Sequence, residues 1–66
     1  MDINNVMTAY RNLGYLCEYE DVARELGCDV KEVQRIMIDC MQNDIDKFLE
    51  LMYSIWRASK KSKEEK

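Results

Sequence analysis

Histidine and proline are both missing from this 66-residue chain, and glycine occurs only twice. Without histidine, no side chain has an ordinary pKa near neutrality for moving protons, and the commonest metal ligand is gone. There is no Gly-rich phosphate loop, and no cysteine can be set beside a base. We therefore expect no enzyme and no cofactor. So few helix breakers, beside many Glu, Lys, Arg, Leu and Met residues, predict an all-α chain. No segment alternates with period two for long enough to form a strand, and no internal repeat is visible. No stretch approaches the roughly 20 apolar residues of a membrane span. The opening MDINNVM lacks the basic start and apolar run of a secretory signal, so a cytoplasmic location is expected. Cys17, Cys28 and Cys40 stand 11 and 12 residues apart. Zinc-ligand pairs usually lie about two to four apart, so these three read as free thiols filling core positions, with no metal.

Positive charge is scarce over most of the chain. Residues 1–56 hold 5 Lys/Arg against 11 Asp/Glu, a balance of −6, whereas residues 57–66 hold 5 against 2, a balance of +3. At this length the chain is one small domain, near the lower size for folding alone. We place that domain at 1–58 and a basic, flexible tail at 59–66.

What the chain does have is a helix-turn-helix spacing at 19–38, YEDVARELGCDVKEVQRIMI. Ala23 is small enough for a second helix to cross closely. Gly27 can take the left-handed conformation that stops the first helix. Asp29 is expected to cap the next one, with Glu32 reaching back as a capping box. Val22, Leu26, Val33, Ile36 and Met37 face inward at helical spacing, with Cys28 completing the set. Ahead of this pair, Ile3, Val6, Met7, Tyr10 and Leu13 form one helical face between Asp2, a candidate N-cap, and Gly14, a candidate stop. That helix closes a three-helix core. Glu18 stands as a weak cap for the helix starting near Tyr19.

Val30, Lys31, Gln34, Arg35 and Ile38 are left on the outward side of the second helix of the motif. Lys31 and Arg35 suit phosphates or guanine, Gln34 suits adenine, and Val30 suits a thymine methyl. An ordinary solvated face would also carry Lys31, Gln34 and Arg35. After Cys40 the helix either breaks at Asn43, with Asp44 capping a new one, or runs on; a break is favoured. Residues 45–56, IDKFLELMYSIW, form an additional C-terminal amphipathic helix.

VMTAYRNL, a turn, and YEDVARELGCDVKEVQRI resemble the helix-turn-helix superfamily of transcription regulators. The stretch is similar to the promoter-binding fourth region of sigma factors and to small phage or mobile-element regulators. The resemblance covers about residues 6–40. It implies that Val30, Lys31, Gln34 and Arg35 face bases and phosphates. The chain departs from the pattern in its acidic body, in Asp29 where a hydroxyl residue would donate to phosphate, and in lacking an Arg-rich grip.

Two functions follow as expectations. The first is a small DNA-binding transcriptional regulator. The alternative is a protein-interaction module of the same shape, whose acidic surface binds a basic protein partner. A homodimer is also expected. The apolar residues of 45–56 span an arc of about 200° on a helix, twice the roughly 100° that packing on one side requires. Ile38, Met41, Ile45, Phe48, Met52 and Ile55 alternate spacings of three and four, the seam of paired helices, with Trp56 beside it. The competing arrangement is a monomer in which this helix wraps the three-helix core. A membrane-surface role is disfavoured, because the polar face at Asp46 and Glu50 is acidic.

Overall fold

Among the residues described, 1–64 for the backbone and 1–61 for side chains, the computed structural model has four α-helices and no strand. They are α1 Ile3–Asn12, α2 Tyr19–Leu26, α3 Val30–Asn43 and α4 Ile45–Glu64. Asp2 opens α1 as its sequence position suggests. Its carboxylate accepts from the N–H groups of Asn4 at 3.1 Å and Asn5 at 3.4 Å, and the Asn5 side chain accepts from the Asp2 N–H at 3.0 Å.

The first two helices end in the same way. Gly14 and Gly27 take φ of +80° and +71°. Behind each, the chain folds back onto the helix it has left. The Tyr15 N–H donates to the Tyr10 carbonyl at 2.8 Å and Gly14 to Arg11 at 3.1 Å; Cys28 donates to Ala23 at 2.9 Å and Gly27 to Arg24 at 3.3 Å. This paired bonding satisfies carbonyls that a helix end otherwise leaves open. Tyr15 itself carries φ of +70°, which costs a side-chain-bearing residue roughly 1–2 kcal/mol. Its ring packs against the buried core, and that contact offsets the strain.

One cap differs from expectation. Asp29 stands at the N-cap of α3 in extended conformation, but its carboxylate makes no capping bond. The Glu32 half of the expected box is drawn away by Arg35, whose guanidinium donates to it at 2.6 and 3.2 Å. A charged fork is a stronger partner for a carboxylate than one backbone N–H. At α2, the Glu18 N–H donates to the Asp21 carboxylate at 3.0 Å.

The core draws on all four helices: Val6, Ala9 and Tyr10 from α1, Val22 and Ala23 from α2, Val33, Ile36 and Met37 from α3, and Leu51 from α4. The inward positions expected at 22, 23, 33, 36 and 37 are all buried, while Leu26 and Cys28 are half-buried. The helix does break after Asn43. Asp44 alone separates α3 from α4, at φ −149° and ψ 65°. Its N–H donates to the Cys40 carbonyl at 2.7 Å, and its carbonyl accepts from the Phe48 N–H at 3.2 Å. Lys47 then ties α4 to α1, donating to the Asn4 side chain at 3.2 Å. Helix α4 reaches Glu64, so residues 59–64 of the expected tail are helical; residues 65–66 lie outside the described residues.

Asp2→Ala should therefore cost about 0.5–2 kcal/mol, whereas Asp29→Ala should fall well below that range; urea unfolding of both variants compares them. Burial pushes the Tyr10 phenol up to about 12, helped by Tyr19 and Cys17 nearby. An unfolded tyrosine ionises near pH 10. The protonated folded form is thus favoured below that pH, and its contribution is lost as pH rises through 10 to 12. Tyr10→Phe should flatten stability across this window, read by thermal melts at stepped pH.

Candidate functional site

The outward strip of α3 presents Lys31, Gln34, Arg35 and Ile38 to solvent, and turns Val30 partly inward against the core. Three of the four residues assigned to a DNA-facing surface thus share an exposed strip, and Val30 stands at its margin. Arg35 is held by Glu32. The carboxyl of Glu32 lies below the usual carboxylate range because it accepts a hydrogen bond from Arg35 and sits beside its charge. On α2, Arg24 is paired with Asp21 at 3.4 Å. Residues 18–44 carry eight acids and three bases, a balance of −5. Among the described residues, Lys31 is the one cation of α2 and α3 outside an ion pair.

Beside this strip lies an apolar groove of about 320 Å³, lined by Tyr19, Gln34, Met37, Ile38, Met41 and Phe48. Met37 is buried beneath it, whereas Ile38 and Met41 are 52% and 44% exposed. Helix spacing explains the opening. Met37 points to the core, and Ile38 and Met41 lie on the flank of α3 that neither α2 nor α4 covers. A second depression of about 460 Å³ runs along Lys31, Gln34, Arg35, Ile38, Asp39 and Gln42. Gln34 and Ile38 belong to both, so groove and outward strip form one continuous face.

The residues expected to make one dimer seam fall into separate groups. Phe48, Met52 and Ile55 are half-buried against the core on either side of the fully buried Leu51. Ile38 and Met41 line the groove on α3. Ile45 and Trp56 are exposed on α4, together with Leu49 and Tyr53. The break at Asp44 is the physical reason: a seam counted straight through it does not stay on one face. Sequence reasoning did not single out Tyr19, Leu49 or Tyr53 as surface residues. The signal was there for Leu49, since positions 45, 49, 52 and 56 alternate four and three as regularly as 45, 48, 52 and 55.

The three thiols are free. Burial raises the pKa of Cys17 and Cys40, with Asp21 and Glu18 adding at Cys17 and Asp44 at Cys40. Their thiolates are disfavoured, which makes them poor nucleophiles. Among the described residues no group of three Cys, Asp or Glu is arranged to hold a metal, and no helix is long and apolar enough to cross a membrane. Compared with known proteins, the chain matches no family model, no curated protein and no solved structure significantly.

The Glu32–Arg35 pair gives a pH signature. A depressed folded pKa means that the contribution is present above the unfolded value of about 4.3 and lost as pH falls through the lowered one. Carboxyl titration by NMR should find Glu32 ionising below the unfolded glutamate value of about 4.3, and Arg35→Ala should raise it.

Proposed function

We propose that this chain is a protein-interaction module built on a helix-turn-helix-like scaffold, and that its α3 face binds a basic, amphipathic segment of a protein partner. The observation that carries this reading is the apolar groove set into the most acidic part of the chain. Tyr19, Met37, Ile38, Met41 and Phe48 offer pockets for an apolar stripe, the mode in which a helix lies in a groove. The balance of −5 over residues 18–44 attracts a positively charged partner and speeds its encounter.

Charge favours a protein partner over nucleic acid as the first reading. Proteins that grip a duplex typically neutralise about 6–10 phosphates, and α2 and α3 together hold three cations, two of them paired within their own helix. Glu18, Glu20 and Asp21 also crowd the start of α2, where a phosphate would otherwise be welcome.

A DNA-binding regulator is the second reading. It is favoured by the exposure of Lys31, Gln34 and Arg35 along one strip. The Arg35–Glu32 pair lies on the surface, where such pairs are worth about 0–1 kcal/mol. Exchanging it for a phosphate or guanine therefore costs little.

The test sets both ligands side by side. A designed Leu/Lys amphipathic helix should bind at low salt, and a Leu/Glu helix of the same pattern should not. Ile38 is half exposed, so Ile38→Ala forfeits about half of the roughly 1.5–3 kcal/mol of a fully buried isoleucine. That is about four- to twelvefold in affinity, with the helix content of the folded chain unchanged. Retardation of duplex DNA by wild type, lost in the Lys31→Ala, Arg35→Ala variant, would instead establish the second reading. Failure of the Leu/Lys helix to bind would end the first.

A further inference from the structure

We propose that two copies of this chain pair antiparallel along α4, through the exposed stripe of Ile45, Leu49, Met52 and Trp56. This goes beyond the partner-binding reading and does not rest on it, because the stripe lies outside the residues that line the α3 groove.

Helix α4 has two apolar sides. Phe48, Leu51 and Ile55 point to the core. About a quarter-turn away, Ile45, Leu49 and Trp56 are 47%, 56% and 55% exposed, and Tyr53 on the flank is 57% exposed. Met52 lies on the boundary, half-buried. The spacing four, three, four is that of knobs entering a facing helix. Ile55 is the last α4 residue packed against the core, and Trp56, next to it, is left to solvent.

The size of the stripe fits a second copy. Aromatic side chains offer about 150–250 Å² each, so Tyr53 and Trp56 leave roughly 200–250 Å² uncovered. Ile45 and Leu49 bring the total to roughly 400 Å². Homodimer interfaces are about 65% apolar, so the stripe corresponds to an interface of roughly 600 Å² per chain. That reaches the lower bound of stable interfaces, about 1,200 Å² over both partners.

Charge sets the direction. The first half of α4, with Asp44 before it, carries Asp44, Asp46 and Glu50 against Lys47, a balance of −2; Arg57, Lys60 and Lys61 give the second half +3. Parallel pairing would place like charges together. Antiparallel pairing lays Trp56 on Ile45 of the second copy and Leu49 on its Met52, and brings the basic end beside Asp44 and Asp46. It also opposes the two helix dipoles. The aromatic end is ordered for this contact. Tyr53 and Trp56 stack at 5.9 Å, with Arg57 over the Tyr53 ring at 5.7 Å and Lys60 over the Trp56 ring at 5.2 Å.

Sedimentation equilibrium should give the mass of two chains at tens of micromolar. Leu49→Glu and, separately, Ile45→Lys should shift that mass to one chain while circular dichroism keeps the same helix content, since both positions are exposed in the single chain. In a mixture of isotope-labelled and unlabelled protein, filtered NOE spectra should connect the Trp56 indole to Ile45 methyls between chains. A wild type that stays monomeric, a dimer indifferent to both substitutions, or interchain contacts joining Trp56 to Trp56 would each overturn the proposal.

Discussion

The largest side chains to reach full burial come one from each helix: Val6 from α1, Val22 from α2, Val33 from α3 and Leu51 from α4. A domain this small has room for one such meeting point, and the other elements are arranged to reach it. Ala9 and Ala23, both buried, are small, which lets helices approach closely around it. Gly14 and Gly27 stop α1 and α2 where the chain must turn back toward it. Val6, Val22, Val33 and Leu51 each contribute about 1.5–3 kcal/mol by leaving water, against the entropy lost in ordering the chain.

Satisfying that core leaves the outer surfaces with features that the fold does not need. The uncovered flank of α3 keeps Ile38 and Met41 at the surface, although alanine or glutamine there would serve a solvated helix as well. Acidic residues gather on α2 and α3, while five of the chain's ten cations lie at 57–66. Charge is thus divided along the chain, acidic over 18–44 and basic over 57–66. The two proposed surfaces follow that division.

Helix starts, stops and inward positions were legible because each has a local cause. Asp2 and Asn5 bond within one turn, Gly27 supplies the left-handed residue, and Val22, Val33 and Ile36 repeat at helical spacing. The exposed character of Lys31, Gln34 and Arg35 was legible in the same way. The weakness of the Glu18 cap was legible too; the cap at Asp29 was less so, since Arg35 claims Glu32. The facing of α4 was not legible. At 48/49, 51/52 and 55/56 both neighbours are apolar, so two registers one residue apart satisfy the pattern equally. Only the turn at Asp44 and the depth of Leu51 choose between them. Tyr15 in the left-handed region was also hidden, because nothing in a tyrosine announces that conformation.

The single-residue joint at Asp44 bears on how the chain folds. With α3 and α4 separated by one residue, and α2 and α3 by three, most helix contacts link neighbours in sequence and close short loops. Short loops give up little chain entropy, and helical domains rich in such contacts fold in microseconds to milliseconds. The α3–α4 corner can form while the chain is otherwise open, bringing Leu51 close to Val33 and Ile36. Helix α1 packs on α2, its neighbour in sequence, and its tie to α4 through Asn4 and Lys47 closes the longest loop, which costs the most chain entropy.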